Sequence, residues 1–241
     1  MSLLVYGINH RTAPLQLREK IAFGESEQPQ SIKNLLSNDC SVEECFIVST
    51  CNRTEVYCSI ESENSEKIRH WLISEKPVSN EELLNCSYEY WDSDMVSHMS
   101  RVACGLDSMA LGEPQIMGQV KKSIETANQC NSIGENLDLA IRAAVSAAKE
   151  VRTRSKIGEN AVSIAYAASS LATKIFSDLS QKKALLIGAG ETIEMVASYL
   201  HRKKIGSLTI ANRTISNAEA LASRYQAVSY THLTLPTIRT V

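Results

Sequence analysis

An α+β domain followed by the opening of an α/β, Rossmann-type nucleotide-binding domain is the fold the sequence predicts, and three observations carry it. Short runs of alternating apolar residues, separated by helical stretches, recur as far as Trp91. Helical periodicity then dominates from Ser93 to Ser155. A strand, a glycine turn and a helix follow one another directly around Gly188 and Gly190.

Residues 3–9 alternate as a strand, and Ala13-Pro14 opens a helix over 15–22 with proline at a tolerated early position. Residues 28–37 read as a helix, 44–49 and 55–60 as strands around a short polar connection, 64–74 as a helix and 86–91 as a strand. That order is βαββαβ, a ferredoxin-like core. Asp92 or Ser93 suits the N-cap of the next helix, and long helices are expected at about 116–130 and 135–155. Ser155-Lys156-Ile157-Gly158 breaks the pattern and sets the boundary between a first domain, 1–156, and a second, 157–226. The second reads as helix 161–176, strand 184–187, helix 191–202, strand 208–211 and helix 216–225, a doubly wound order.

With 241 residues, 44% apolar and 22% charged, the chain can build its cores without staples. A net charge of −2 gives no overall pull towards polyanions, so such a partner needs a local basic patch. The seven cysteines are odd in number and form no C-x-x-C pair, which argues against a disulfide framework or a compact metal site and suits a reducing cytoplasm. No signal-like apolar run and no membrane span is visible, the Ala-rich stretch 161–176 being broken by Ser163, Ser169, Ser170 and Lys174.

Gly188-Ala189-Gly190-Glu191-Thr192-Ile193 follows a buried strand and opens a helix, so backbone N–H groups can meet a pyrophosphate at the helix N-terminus. Ile193 stands where a third glycine would let helix and strand pack closely. After the second strand comes Asn212-Arg213-Thr214; where an acid would read a ribose 2′-hydroxyl, Arg213 suits a 2′-phosphate, which predicts NADPH. A structural glycine turn beside a solvated arginine is the bland alternative.

Ser49-Thr50-Cys51-Asn52-Arg53-Thr54-Glu55 sets a cysteine in a polar break between two strands. Arg53 can favour the thiolate, the reactive species in covalent acyl chemistry. The residues alone leave open an ordinary half-buried thiol. Residues 98–121 gather polar groups in an apolar setting: Gly105 and Gly112 let the loop with Asp107, Ser108 and Glu113 fold back, and Gln115 and Gln119 share a helix face. Helix capping or core satisfaction explains such groups equally well. Arg142, Lys149, Arg152 and Lys156 fall on one helix face that suits phosphates, or is simply solvated.

Together, Gly7-Ile8-Asn9-His10-Arg11-Thr12-Ala13-Pro14, the Cys51 block, the 98–121 stretch and the glycine turn resemble glutamyl-tRNA reductase, from residue 3 to about 226. The resemblance implies that Cys51 attacks the ester joining glutamate to its tRNA, and that NADPH reduces the thioester to glutamate-1-semialdehyde at the start of five-carbon tetrapyrrole synthesis. It makes 1–156 the glutamyl-recognition domain. Thr50, Asn52, Arg53, Ser108, Glu113, Pro114, Gln115 and Gln119 then surround the glutamyl group, Arg53 pairing with its side-chain carboxylate and Glu113 with its ammonium. His98 takes a proton-handling or positioning role. The resemblance also implies a C-terminal dimerisation domain and hand-over of product to glutamate-1-semialdehyde aminotransferase. Residues 227–241 depart from the family pattern and suggest a truncated or misread end. A non-catalytic tRNA-binding module and an NADP-dependent small-molecule dehydrogenase are the competing readings.

Overall fold

A computed structural model of the chain describes residues 1–37, 41–61, 64–109, 111–113, 115–155, 157, 164–176 and 178–230. They divide into two compact units, Met1–Ala161 and Val162–Val241. The sequence sets the boundary a few residues earlier, at Lys156, which lies outside the described residues.

The first unit runs β1 (Ser2–Asn9), α1 (Leu15–Ile21), α2 (Gln28–Ser37), β2 (Val42–Ser49), β3 (Arg53–Ile60), α3 (Glu66–Glu75), α4 (Asn80–Cys86), β4 (Tyr88–Trp91), α5 (Asp92–Cys104), α6 (Gln115–Gln129) and α7 (Glu135–Ser155). Its sheet is antiparallel throughout, in the order β2-β3-β1-β4. The central strands β1 and β3 are buried on both faces, although β3 carries the polar residues Arg53, Thr54, Glu55 and Ser59 into the interior, where they need partners. Phe46 stacks on Tyr57 across β2 and β3, and Leu4, Ile8, Ile47 and Ile60 fill the core.

Two local departures from the expected elements have clear causes. Residues 80–86 form α4, so Cys86 ends a helix and does not begin a strand. A capping box starts it: Glu82 N–H donates to Ser79 Oγ (3.1 Å) while Ser79 N–H donates to Glu82 Oε2 (2.8 Å). Helix α5 begins at Asp92 itself, with Trp91 in the N-cap position, because the Asp92 carboxylate turns back to accept the Leu3 N–H at 2.8 Å.

A buried carboxylate joins sheet and helices. Glu44, at an irregularity in β2, accepts from the backbone N–H groups of Gly134 (3.1 Å), Asn136 (3.1 Å) and Leu137 (2.7 Å) and from Asn136 Nδ2 (3.1 Å). These are the orphan donors at the start of α7, where a negative charge is favoured.

The second unit runs α8 (Ile164–Ile175), β5 (Lys183–Ile187), α9 (Glu191–Arg202), β6 (Ser207–Ala211), α10 (Ile215–Arg224) and β7 (Val228–Tyr230). The strands are parallel, in the order β5-β6-β7. The expected end of this unit at 226 is therefore too early: Val228, Ser229 and Tyr230 add a third strand, a β-prone triplet too short to announce itself. Residues 231–241 lie outside the described residues.

Candidate active site

Thr50, Cys51 and Asn52 connect β2 to β3, and the connection is tied down on every side. Thr50 Oγ1 accepts the N–H groups of Asn52 and Arg53, both at 3.2 Å, and the Asn52 carbonyl accepts the His10 N–H at 2.8 Å. Arg18 of α1 reaches across to donate from Nη1 to the Cys51 carbonyl at 2.6 Å. Cys51 itself is exposed, whereas Cys45, Cys58 and Cys104 are buried, and burial pushes the Cys45 thiol up to about 12. Sequence reasoning missed Arg18, which only the packing of α1 beside the turn reveals.

Beneath this turn lies a chain of alternating charges. Arg11 meets Asp107 Oδ1 at 3.1 Å, and Asp107 Oδ2 and carbonyl accept from Arg53 Nη2 at 3.0 and 2.5 Å. Arg53 Nη1 donates to Glu55 Oε1 at 2.7 Å. Glu55 also accepts from Tyr57 (2.7 Å), Tyr88 (2.5 Å) and His98 Nε2 (2.8 Å). Burial favours the neutral acid at Glu55, but Arg53 and the His98 hydrogen bond prevail and hold its carboxyl down to about 2. Burial, reinforced by the Glu55 charge, pushes the Tyr57 and Tyr88 hydroxyls up, so both stay donors. An ionised Glu55 can only accept, so His98 Nε2 carries a proton and any further proton enters the ring at Nδ1.

Arg53 is engaged within the chain. Its guanidinium is 1% exposed and both terminal nitrogens are engaged by Glu55 and Asp107, so it is not presented to solvent. The central part played by Glu55 was also missed, although Arg53, Glu55 and Tyr57 alternate along β3, the signature of a polar row on one strand face.

The loop expected to fold back does so. Gly105 closes α5 in the left-handed conformation, and the Gly112 N–H donates to the Gly105 carbonyl at 2.9 Å. At Gly112, where φ is 75°, a Cβ would run into the Ile157 carbonyl, so only glycine fits. The fold brings Asp107 of this loop onto Arg53, thereby joining the two polar clusters of the sequence. Ser108, Glu113, Gln115 and Gln119 are half-buried, the last two on α6 as expected; Pro114 lies outside the described residues.

Beside the chain of charges opens a cavity of 440 Å³, lined by Asn9, Arg11, Thr12, Tyr88, Tyr90, Asp94, Ser97, His98, Arg101 and Asp107. His98 is sandwiched by rings, stacked with Tyr90 at 4.8 Å and edge-on to Tyr88 at 5.5 Å. His10, next to Arg11, is held below its ordinary value by burial and by the Arg53 and Arg11 cations.

The expected basic face divides. Arg142 and Lys149 border a groove with Lys121, while the Arg152 Nη1 is buried without a partner among the described residues. Lys156 lies outside the described residues.

In the second unit the glycine turn joins β5 to α9. Gly188 has φ 114° and donates its N–H to the Ala211 carbonyl at 2.7 Å. Gly190 is the N-cap of α9; no side chain caps it, and a Cβ there would meet nothing within 4 Å. The uncapped start of α9 at Gly190, with no side chain crowding that glycine, fits the approach of a pyrophosphate to a helix N-terminus. Ile193 packs half-buried on the unit's core, and Arg213 is exposed between β6 and α10. Among the described residues no cluster could hold a metal ion, and no helix is long and apolar enough to cross a membrane.

Residues 6–155 match the family model for the N-terminal domain of glutamyl-tRNA(Glu) reductase. The chain belongs to the glutamyl-tRNA reductase family. Residues 170–241 match the model for shikimate/quinate 5-dehydrogenase. Glutamyl-tRNA reductase from Pseudoalteromonas translucida is 46% identical over 224 residues, covering 93% of this chain and 53% of the relative. The Hahella chejuensis protein of that name is 48% identical over 226 residues, again 93% and 53%. The structure of glutamyl-tRNA reductase from Methanopyrus kandleri superposes with a TM-score of 0.64 at 29% identity, covering 95% of this chain and 54% of that one. The chain thus spans about half the length of the relatives it matches.

Proposed function

We propose that this chain performs the acyl-transfer half of glutamyl-tRNA reduction on Cys51 and, with NADPH, reduction of the resulting thioester to glutamate-1-semialdehyde, the first step of five-carbon tetrapyrrole synthesis. The observation that carries the reading is the exposed Cys51 on a turn clamped by Arg18 and Thr50, in a domain matched by the family. The Cys51 thiolate adds to the ester carbonyl; the bond to the ribose oxygen breaks, and that oxygen leaves as a hydroxyl after taking a proton. His98, held by Glu55 and two tyrosines, suits that proton transfer through Nδ1. Holding the acyl group covalently keeps it aligned for the second step.

Thr50, Asn52, Ser108, Glu113, Pro114, Gln115 and Gln119 surround the glutamyl group in this reading, with Glu113 facing its ammonium. Arg53, as the resemblance implies, pairs with the side-chain carboxylate of the glutamyl group, which requires it to exchange its contact with Asp107 for the substrate. Gly188, Ala189, Gly190, Glu191, Thr192 and Ile193 hold the cofactor's pyrophosphate and Arg213 its 2′-phosphate. NADPH, when bound, supplies the hydride. The strand order and the βαββαβ succession support a ferredoxin-like core in a glutamyl-recognition domain, and the second unit serves as the NADP-binding domain. We place the chemistry in the cytoplasm, with dimerisation and hand-over to the aminotransferase as properties of the whole enzyme.

Trapping tests it. Charged tRNA(Glu) bearing labelled glutamate should leave label on Cys51, and Cys51→Ser should leave none. RNA binding without trapping would instead mark a non-catalytic module, and turnover surviving Cys51→Ser a small-molecule dehydrogenase.

A further inference from the structure

We propose that the cavity between β4 and α5 receives the 3′-terminal nucleoside of the RNA, with Tyr90 as its stacking platform and Arg101 as its phosphate contact. This deepens the reading above and rests on it. Three observations carry it. The cavity lies beside the nucleophile's turn: Asn9, which lines it, pairs with Arg53 in the sheet, and the neighbouring His10 N–H binds the Asn52 carbonyl. Yet Cys51 does not line it. In an ester held at Cys51 the acyl half occupies the thiol's surroundings, so a cavity one residue further on suits the other half, the ribose and its base. At 440 Å³ it matches the size range of small-molecule sites.

Its chemistry is that of nucleotide recognition. Tyr90 stacks on His98, lies tilted to Tyr88 at 5.6 Å and is still 40% exposed, which leaves ring surface for a base. Arg101 is exposed, and its side chain has no hydrogen bond or ion pair among the described residues. A guanidinium in this position suits a phosphate. Asp94 and Ser97 on the same helix offer an acceptor and a hydroxyl for ribose or base edges. A site for the glutamyl group alone would have no use for exposed aromatic ring surface.

The test measures binding of uncharged tRNA(Glu) and of the same RNA lacking its terminal adenosine. Wild type should bind the shortened RNA about tenfold more weakly, as expected for one lost base stack. Tyr90→Leu should bind intact RNA about as weakly as wild type binds the shortened one, and should no longer distinguish the two. Tyr90→Phe, which keeps the ring, should behave as wild type. Arg101→Gln should weaken intact RNA and lower the salt dependence. If Tyr90→Leu weakens both RNAs equally, or neither, or if Tyr90→Phe fails like Tyr90→Leu, the nucleoside site is overturned while Cys51 trapping still stands. If wild type binds neither RNA and traps no glutamate, the proposal falls together with the function it rests on.

Discussion

Arg53 and Glu55 stand two residues apart on one face of β3, both buried, with Nη1 and Oε1 2.7 Å apart. Glu55 holds His98 from below, while the backbone N–H of Arg53 donates to Thr50 at the start of the Cys51 turn. Glu55→Gln leaves Arg53 with Asp107 as its remaining counter-charge. Losing one partner of a buried pair costs about 3–5 kcal/mol. Urea denaturation should show a loss of that order, and a loss below about 1 kcal/mol would mean that water reaches the pair.

The same carboxylate sets a pH window. The folded-state value of Glu55, about 2, lies below its ordinary 4.5. Its contribution to stability is therefore complete above about pH 4.5 and is lost as the pH falls from there towards 2. Wild type should lose more stability than Glu55→Gln over that acid range. Parallel stability curves for the two proteins would remove Glu55 from the explanation.

Thiol reactivity should follow exposure. Among the described cysteines, Cys51 should alkylate first with iodoacetamide, Cys86 and Cys130 more slowly, and buried Cys45, Cys58 and Cys104 only on unfolding. Arg18→Ala should slow Cys51 alkylation at neutral pH severalfold by releasing its carbonyl and removing a nearby cation; peptide mapping by mass reads both results. An unchanged rate would leave Arg18 a purely structural contact.

Cofactor choice should turn on Arg213. Arg213→Asp is expected to weaken NADPH binding at least tenfold and NADH binding much less, because only the former carries a 2′-phosphate. Fluorescence titration of the reduced cofactors decides, and equal losses for both would reassign the arginine.

Much of this was legible in the sequence. The long periodic helices α6 and α7, the alternating strands and the glycine turn announced themselves, because each is specified by neighbours within a few residues. The short α4 was readable only through Ser79 and Glu82, and β7 hardly at all. The site divided along the same line. Cys51 and its neighbours stood out locally, but the grip of Asp107 on Arg53 joins positions 54 apart and could be seen only once folded. Two of the carboxylates nearest Arg53, those of Glu55 and Asp107, belong to the chain itself, one a neighbour on β3 and one from a distant loop.

The Glu44 clamp bears on how the first unit assembles. Its bonds to Gly134, Asn136 and Leu137 span 90 to 93 residues, so α7 gains its starting cap only after β2 is in place. Closing so long a loop is slow, and contacts of this range lower folding rates. Glu44 therefore couples the late helices to the early sheet as one cooperative block, and Glu44→Ala should fray α7 in hydrogen exchange before the rest of the unit opens.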